Sequence, residues 1–301
     1  MTGRAIGLLG CGPWGRLILR DLSALGAEVH VWSPGAASRS AALDGGAQSV
    51  HEHLDTMPQV DGFVIATTTS THAASIRSVA ARGVPIFVEK PMCIDVGEAE
   101  QLANELGERL FVMDKWRYHA GVRTLRALAT EGELGDVVGV QCVRIGYADN
   151  HPDVDAVWIL LPHDLSIAYE IVGPVDTLRN AVGHVDEAGN VRTISALYDM
   201  PGGKWFATTV SDRSPVERRE VHVIGSVATA VLSGGYASHV EVRREATVER
   251  VAFEPNMPLF DELAVFLAHL GGGVAPVSSA RDGARTVALV AAARSAVGAW
   301  R

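Results

Sequence analysis

Short runs of β-branched and other apolar residues alternate with longer amphipathic stretches through the first third of the chain. AIGLLG, starting at Ala5, reads as a strand. PWGRLILRDLSALG, with Leu17, Leu19, Leu22 and Leu25 as its apolar positions, predicts a helix closed by Gly26. EVHVW from Glu28, GFVIAT from Gly62, PIFV from Pro85 and LFVM from Leu110 predict further strands. Between them, THAASIRSVAARG offers Thr71 as a helix cap and Gly83 as a stop, and EAEQLANELGERL supplies another helix. Strands alternating with helices in this way predict a parallel sheet with helices on both faces.

The rhythm changes near Trp116. HAGVRTLRALATEGELG reads as a helix, VVGVQCVRIGYA as a strand, and DLSIAYEIVG as a helix ended by Gly173 and Pro174. From Val175 to Phe253 strand patterns dominate, with a hairpin around Pro201-Gly202-Gly203. LFDELAVFLAHLGGG and ARTVALVAAARSAVGAW close the chain as helices. Strands arriving as a block after an α/β half predict a second, α+β domain with a largely antiparallel open sheet. The expected domains are 1–118 and 119–301.

Composition narrows the class. Hydrophobic residues make up 48% of the chain and charged residues 20%, which suits a packed core and leaves no segment reading as disordered. A net charge of −9 gives no basic face for nucleic acid. Three widely spaced cysteines, Cys11, Cys93 and Cys142, read as reduced thiols of a cytosolic protein, not as a disulfide framework or a zinc site. MTGRAIGLLGCG is too short and glycine-rich for a signal peptide. No apolar run approaches the roughly 18 residues of a membrane span. A soluble, cytoplasmic protein with no metal site and neither nucleic acid nor membrane as partner is expected.

The first strand leads into G-x-G-x-x-G, formed by Gly10, Gly12 and Gly15 with Pro13 and Trp14 between them. The three glycines permit, in turn, a tight bend, close approach of a pyrophosphate, and packing of helix on strand. The helix N-terminus behind them presents unpaired N–H groups to phosphate. A dinucleotide site on a Rossmann domain follows. NAD-binding versions usually place an acid about 20 residues on, to hold the ribose hydroxyls. Here the second strand ends in Trp32 and Ser33, with Ser38 and Arg39 nearby. A hydroxyl and an arginine accept a 2′-phosphate that an acid would repel, so NADP is the preferred cofactor, with NAD possible.

IFVEKPM, from Ile86 to Met92, runs a buried-looking strand into an acid, a base and a proline. Alone, Glu89-Lys90-Pro91 reads as an exposed strand end. Together with IGLLGCGPWG, VDGFVIATTTSTH, KWRYHAGVRTLRAL…GELGDV, PHDLSIAYEIVG, VHVIGSVATAVL and PLFDELAVFLAHLGGG, in that order and spacing, it resembles the Gfo/Idh/MocA oxidoreductase family over nearly the whole chain. That family includes glucose-fructose oxidoreductase and inositol dehydrogenase. The resemblance implies that Glu89 and Lys90 lie beside the nicotinamide, with Lys90 binding substrate and tuning proton transfer. It implies His163 as general acid/base, Thr67, Thr68 and His72 beside the cofactor, and Arg117 either at the substrate or cofactor or fixing the domain junction. The second domain would bind substrate and form a homodimer or homotetramer.

One departure stands out. The family commonly carries Asp four residues before the catalytic histidine, and this chain has Ile159 there. Asp164 is the adjacent acid that could partly substitute at the substrate. The expected function is an NAD(P)-dependent oxidoreductase acting at a hydroxyl- or carbonyl-bearing carbon of a sugar, cyclitol or related small molecule. Ile159 also keeps open an imine reductase, a lyase or epimerase using transient oxidation, and a nucleotide-binding sensor or scaffold without turnover.

Overall fold

A computed structural model describes residues 3–147 and 153–298. It divides into two compact units, one of residues 1–115 with 259–287, the other of 116–258 with 288–301.

The first unit is built on six parallel strands: β1 (Ala5–Leu9), β2 (Glu28–Trp32), β3 (Ser49–His51), β4 (Gly62–Ile65), β5 (Ile86–Glu89) and β6 (Leu110–Met113), in the order β3-β2-β1-β4-β5-β6. The order reverses between β1 and β4, which opens a crevice at their carboxyl ends. Every residue of β4, β5 and β6 is buried, as expected of parallel strands covered on both faces. Helix α1 (Pro13–Ala24) starts on proline, which lacks only an N–H that the first helical turn does not use, and turns Ile18, Leu19 and Leu22 into the core. Two elements have no counterpart in the hydrophobic pattern, α2 (Ala36–Asp44) and the three-residue β3. Both are short, and α2 buries only Ala42. Helices α3 (His72–Ala80) and α4 (Val96–Leu106) complete the N-terminal part, with Asp95 capping α4 through the Glu98 amide at 2.8 Å.

The C-terminal segment returns to this unit through α7 (Pro258–His269). Leu259, Leu263 and Phe266 of α7 join the core that holds Phe87, Phe111 and Met113, and Phe266 stacks on Phe87 at 5.0 Å. The Val112 amide donates to the Ser278 carbonyl at 3.0 Å, so the following segment also adheres to β6. The sequence pattern suggests one boundary after residue 118. The units instead share the chain in four pieces, because α7 finds its apolar partners in strands laid down well over a hundred residues earlier.

The second unit holds α5 (Ala120–Thr130), β7 (Val137–Tyr147), α6 (Ala156–Val172) and strands β8 (Thr177–Val185), β9 (Val191–Met200), β10 (Lys204–Ser211), β11 (Arg213–Gly225), β12 (Thr229–Ser233), β13 (His239–Arg244) and β14 (Thr247–Ala252). They form an eight-stranded sheet, β14-β13-β12-β11-β7-β10-β9-β8, antiparallel except for the central β7–β10 pair. Cys142 and Arg144 of β7 and Phe206 and Thr208 of β10 are buried, while the alternate residues Val143, Ile145 and Trp205 are only half-buried. The last helix, α8 (Ala280–Gly298), is divided between the units at Val287. The strand end expected at Ala148 and the helix end expected at Trp300 lie outside the described residues.

Helix α6 differs most from the sequence expectation. It begins at Ala156, not near Asp164, and runs 17 residues with Pro162 inside. Proline looks like a helix start because it removes an interior hydrogen bond. Here Val157, Trp158, Ile159 and Leu161 are all buried ahead of it, and burial of that apolar turn carries the helix through. His163 therefore lies mid-helix and not near its start.

Candidate active site

The glycine turn of the first unit divides its work as the sequence predicts. Gly10 has φ +90° and a Cβ there would lie 2.6 Å from the Ala66 carbonyl oxygen; one on Gly15 would lie 2.4 Å from the Gly10 carbonyl oxygen. Gly12 faces open space, with nothing within 4 Å of a Cβ position. First and third glycines are thus demanded by packing, whereas the second keeps an approach clear beside the start of α1. Gly12 caps that helix without a side-chain bond, so the first-turn N–H groups remain for an anion. Ser38 Oγ donates to the Cys11 carbonyl at 2.9 Å and braces the turn. This cradle fits a dinucleotide pyrophosphate.

Beside it, the buried Ser33 donates its amide to the His51 carbonyl at 3.1 Å. Arg39 Nη1 donates to the carbonyls of Ser33 and Pro34, each at 2.8 Å, and its Nη2 to Glu52 Oε2 at 2.8 Å. Ser33 and Arg39 are therefore together at the end of β2, with Glu52 as an acidic neighbour that local spacing does not reveal. On the loop after β4, Thr67 Oγ1 meets Ser75 Oγ at 3.1 Å, and Thr68 Oγ1 meets Thr71 Oγ1 at 3.4 Å.

Both ring nitrogens of His72, expected beside the cofactor, meet backbone carbonyls of the protein. The ring is buried, with Nδ1 2.7 Å from the Pro91 carbonyl oxygen and Nε2 3.1 Å from that of Thr67. Burial, the largest influence, pushes its pKa down against the pull of these two carbonyls and of Glu89. His72 instead ties the loop after β4 to the loop after β5.

At the carboxyl end of β5, Glu89 accepts the Trp14 indole N–H through one oxygen and the Lys90 amide through the other, the latter at 3.2 Å. Trp14 thus reaches from the glycine turn across β4. Lys115 Nζ sits 4.2 Å from the Trp14 ring centroid on the face of the indole. Lys90 follows Glu89 directly, half-buried, and begins the chain's exit from the sheet.

In the second unit, His163 and Ile159 are one helical turn apart on α6 and share a face. Trp116 presents its ring to His163 in a T-shaped contact at 6.4 Å, stacks on His119 at 5.0 Å, and carries the Arg144 guanidinium 4.7 Å from its centroid. Arg144 Nε donates to Asp164 Oδ1 at 2.7 Å and Thr208 Oγ1 to Oδ2 at 2.8 Å. Asp164 is 1% exposed and both its oxygens are engaged by the sheet, so it does not replace the missing acid at a substrate. Ile159 keeps that position apolar. Arg117 Nε donates to Glu170 Oε2 at 3.0 Å, Arg126 Nη1 to Oε1 at 2.8 Å, and the Arg117 guanidinium lies 4.5 Å over Tyr169. Through these contacts Arg117 fastens its segment to α6.

Residues 4–112 match the family described as an oxidoreductase family with an NAD-binding Rossmann fold. The rhizopine catabolism protein MocA of Rhizobium meliloti is 33% identical over 152 residues, a stretch covering 48% of each chain, so that match spans about half its length. Inositol 2-dehydrogenase of Rhizobium meliloti is 25% identical across 97% of this chain and 96% of its own. Residues 4–112 thus match the Rossmann part of the Gfo/Idh/MocA oxidoreductase family, and the similarity to inositol 2-dehydrogenase extends along nearly the whole chain. An oxidoreductase from Agrobacterium radiobacter, solved with NAD+, L-tartaric acid and magnesium, shares the fold at a TM-score of 0.88 and 20% identity, covering 100% of this chain and 98% of that one.

Sequence reasoning placed Trp14 with the cofactor-binding residues of the glycine turn, but it did not reveal which partners the side chains around the site meet. Trp14, Lys115, Trp116, Arg144 and Thr208 shape the surroundings of Lys90 or His163 through contacts between residues far apart in the chain. The tryptophan in the glycine turn was the available signal, since an aromatic residue there must lie across neighbouring strand ends.

Proposed function

We propose that this protein is an NAD(P)-dependent oxidoreductase acting at a hydroxyl- or carbonyl-bearing carbon of a sugar, cyclitol or related small molecule. The observation that carries this reading is the glycine turn, clear above Gly12 and backed by the open N-terminus of α1, at the switch point of a β3-β2-β1-β4-β5-β6 sheet. Bound there, nicotinamide supplies or accepts the hydride. Lys90 is the cation that polarises the reacting oxygen and stabilises negative charge developing on it. His163 takes the hydroxyl proton in oxidation and returns it in reduction, a task suited to an imidazole whose ordinary pKa is near neutral. With Ile159 apolar and Asp164 committed to Arg144, this proton exchange proceeds without a carboxylate one turn before His163.

NADP is the preferred cofactor in this reading. The second strand itself ends without an acid, and Arg39 lies beside Ser33 as the cation for a 2′-phosphate, which would compete with Glu52 for the guanidinium. Ile159 favours one second reading, reduction of an imine, because such a substrate has no hydroxyl for an acid to hold. Titration of the purified protein with NADPH and NADH, followed by nicotinamide fluorescence, tests the core of the proposal. NADPH is expected to bind more tightly, and Arg39→Ala to narrow its advantage over NADH by at least about fivefold, the loss of one charge-assisted contact. Failure of both nucleotides to bind defeats the assignment. An unchanged ratio in Arg39→Ala defeats only the NADP preference.

A further inference from the structure

Glu262 is the most deeply buried acid of the nucleotide-binding unit among the described residues, at 1% exposure. Neither of its carboxyl oxygens has a hydrogen-bond partner among them. Leaving such a group unsatisfied in a core is costly, and a leucine or methionine would avoid it. Its place follows from two periodicities. Phe87 and Glu89 lie on one face of β5, separated by about 7 Å of strand. Phe266 and Glu262 lie on one face of α7, separated by about 6 Å of helix. The Phe87–Phe266 stack joins these faces. Leu270, one turn beyond Phe266, lies 3.0 Å from a Cβ position on Gly62 at the start of β4, so α7 runs against the strand direction. Glu262, one turn before Phe266, therefore lies toward the carboxyl ends and Glu89.

The charged groups that act on Glu262 are Glu89 from β5, and Asp114 and Lys115 after β6. Asp261 precedes it on α7. Burial first, then the two acids, hold its carboxyl well above the usual carboxylate range, with Lys115 opposing. Burial thus favours the neutral form of Glu262, beside the carboxylate that grips both Trp14 of the glycine turn and the amide of Lys90.

We propose that Glu262 is a positioning residue of the nucleotide site: while neutral it leaves Glu89 in place on Trp14 and Lys90, and its ionisation loosens that grip and weakens nucleotide binding. A third carboxylate beside Glu89 and Asp114 is relieved most simply by withdrawal of Glu89 from the indole. The inference rests on the nucleotide reading above, and it concerns binding and not the chemical step.

Two signals test it in the whole protein, each from about pH 6 to pH 10, the range in which a strongly raised carboxyl is forced to ionise. The first is the fluorescence of Trp14 without nucleotide, taken as the difference from Trp14→Phe. The second is NADH and NADPH affinity from nicotinamide fluorescence. The unaltered protein is expected to show an alkaline transition in Trp14 emission and a loss of affinity of at least about fivefold, the low end of ordinary coupling between sites. Glu262→Gln, shaped like the neutral acid, and Glu262→Met are both expected to show neither change. If Glu262→Gln and Glu262→Met follow the same pH profiles as the unaltered protein, the inference is overturned. If neither nucleotide binds at any pH but the Trp14 transition is present and abolished by Glu262→Gln, the link from Glu262 to Glu89 stands and the nucleotide reading falls.

Discussion

Position 159 shows how much one side chain changes the chemistry available to α6. Isoleucine removes any acid from the turn before His163, and Asp164 is turned away to Arg144 and Thr208. In the proposed reaction His163 is the proton-transfer group, and on that proposal His163→Ala is expected to lower kcat by about a hundredfold or more, with NADPH affinity unchanged. Steady-state kinetics beside a fluorescence titration check this, and full turnover in the variant removes the role. The neighbouring acid predicts a different outcome. Asp164→Ala strands a guanidinium that is itself buried, so stability should fall by about 3 kcal/mol or more in urea unfolding, as expected for breaking a buried pair. A loss below about 1 kcal/mol would place the pair among those that surface solvent screens.

At the scale of elements, α7 has the largest consequence for the first unit. It supplies Leu259, Leu263 and Phe266 to the core and places Glu262 there as well. The sign of the resulting pH effect is definite. Because the folded-state pKa of Glu262 is raised above its ordinary value of 4.5, the folded protein holds a proton that the unfolded chain releases. Stability from this group is complete below that ordinary value and declines as pH rises toward the folded-state value. Glu262→Gln should therefore melt higher than the unaltered protein at pH 8 and closer to it at pH 5, a gap that scanning calorimetry can measure. An equal gap at both values would mean that the carboxyl does not titrate in the folded state differently from the unfolded one.

For the molecule as a whole, the large sheet of the second unit raises the question of assembly. On the strands β7 and β10, Val143, Ile145 and Trp205 are half-buried on the side opposite Arg144 and Thr208. A sheet face of this kind is stabilised by a cover, and a second copy of the chain is the cover we propose, giving a homodimer or homotetramer. Light scattering across a dilution series should return a mass above the 31.9 kDa of one chain. A mass of one chain at every concentration contradicts it.

Local pattern was enough for everything that depends on local physics. Alternating apolar runs determined the parallel sheet and the later antiparallel one. Gly10, Gly12 and Gly15 determined the turn, since backbone conformation and close approach admit little else. Lys90 at a strand's carboxyl end was legible for the same reason. What the sequence could not supply was every contact between distant segments. The passage of α6 through Pro162 depended on burial of the turn before it, the return of α7 on partners in β5 and β6, and the orientation of Asp164 on Arg144 and Thr208 in two other strands. The family pattern placed His72 and Asp164 at the site and Arg117 either there or at the domain junction, but the partners that hold each of these side chains came only from the fold. Residue type and spacing state what a side chain is able to do; which partner it meets is decided only when the chain closes on itself, because the energies of burial and pairing belong to both partners together.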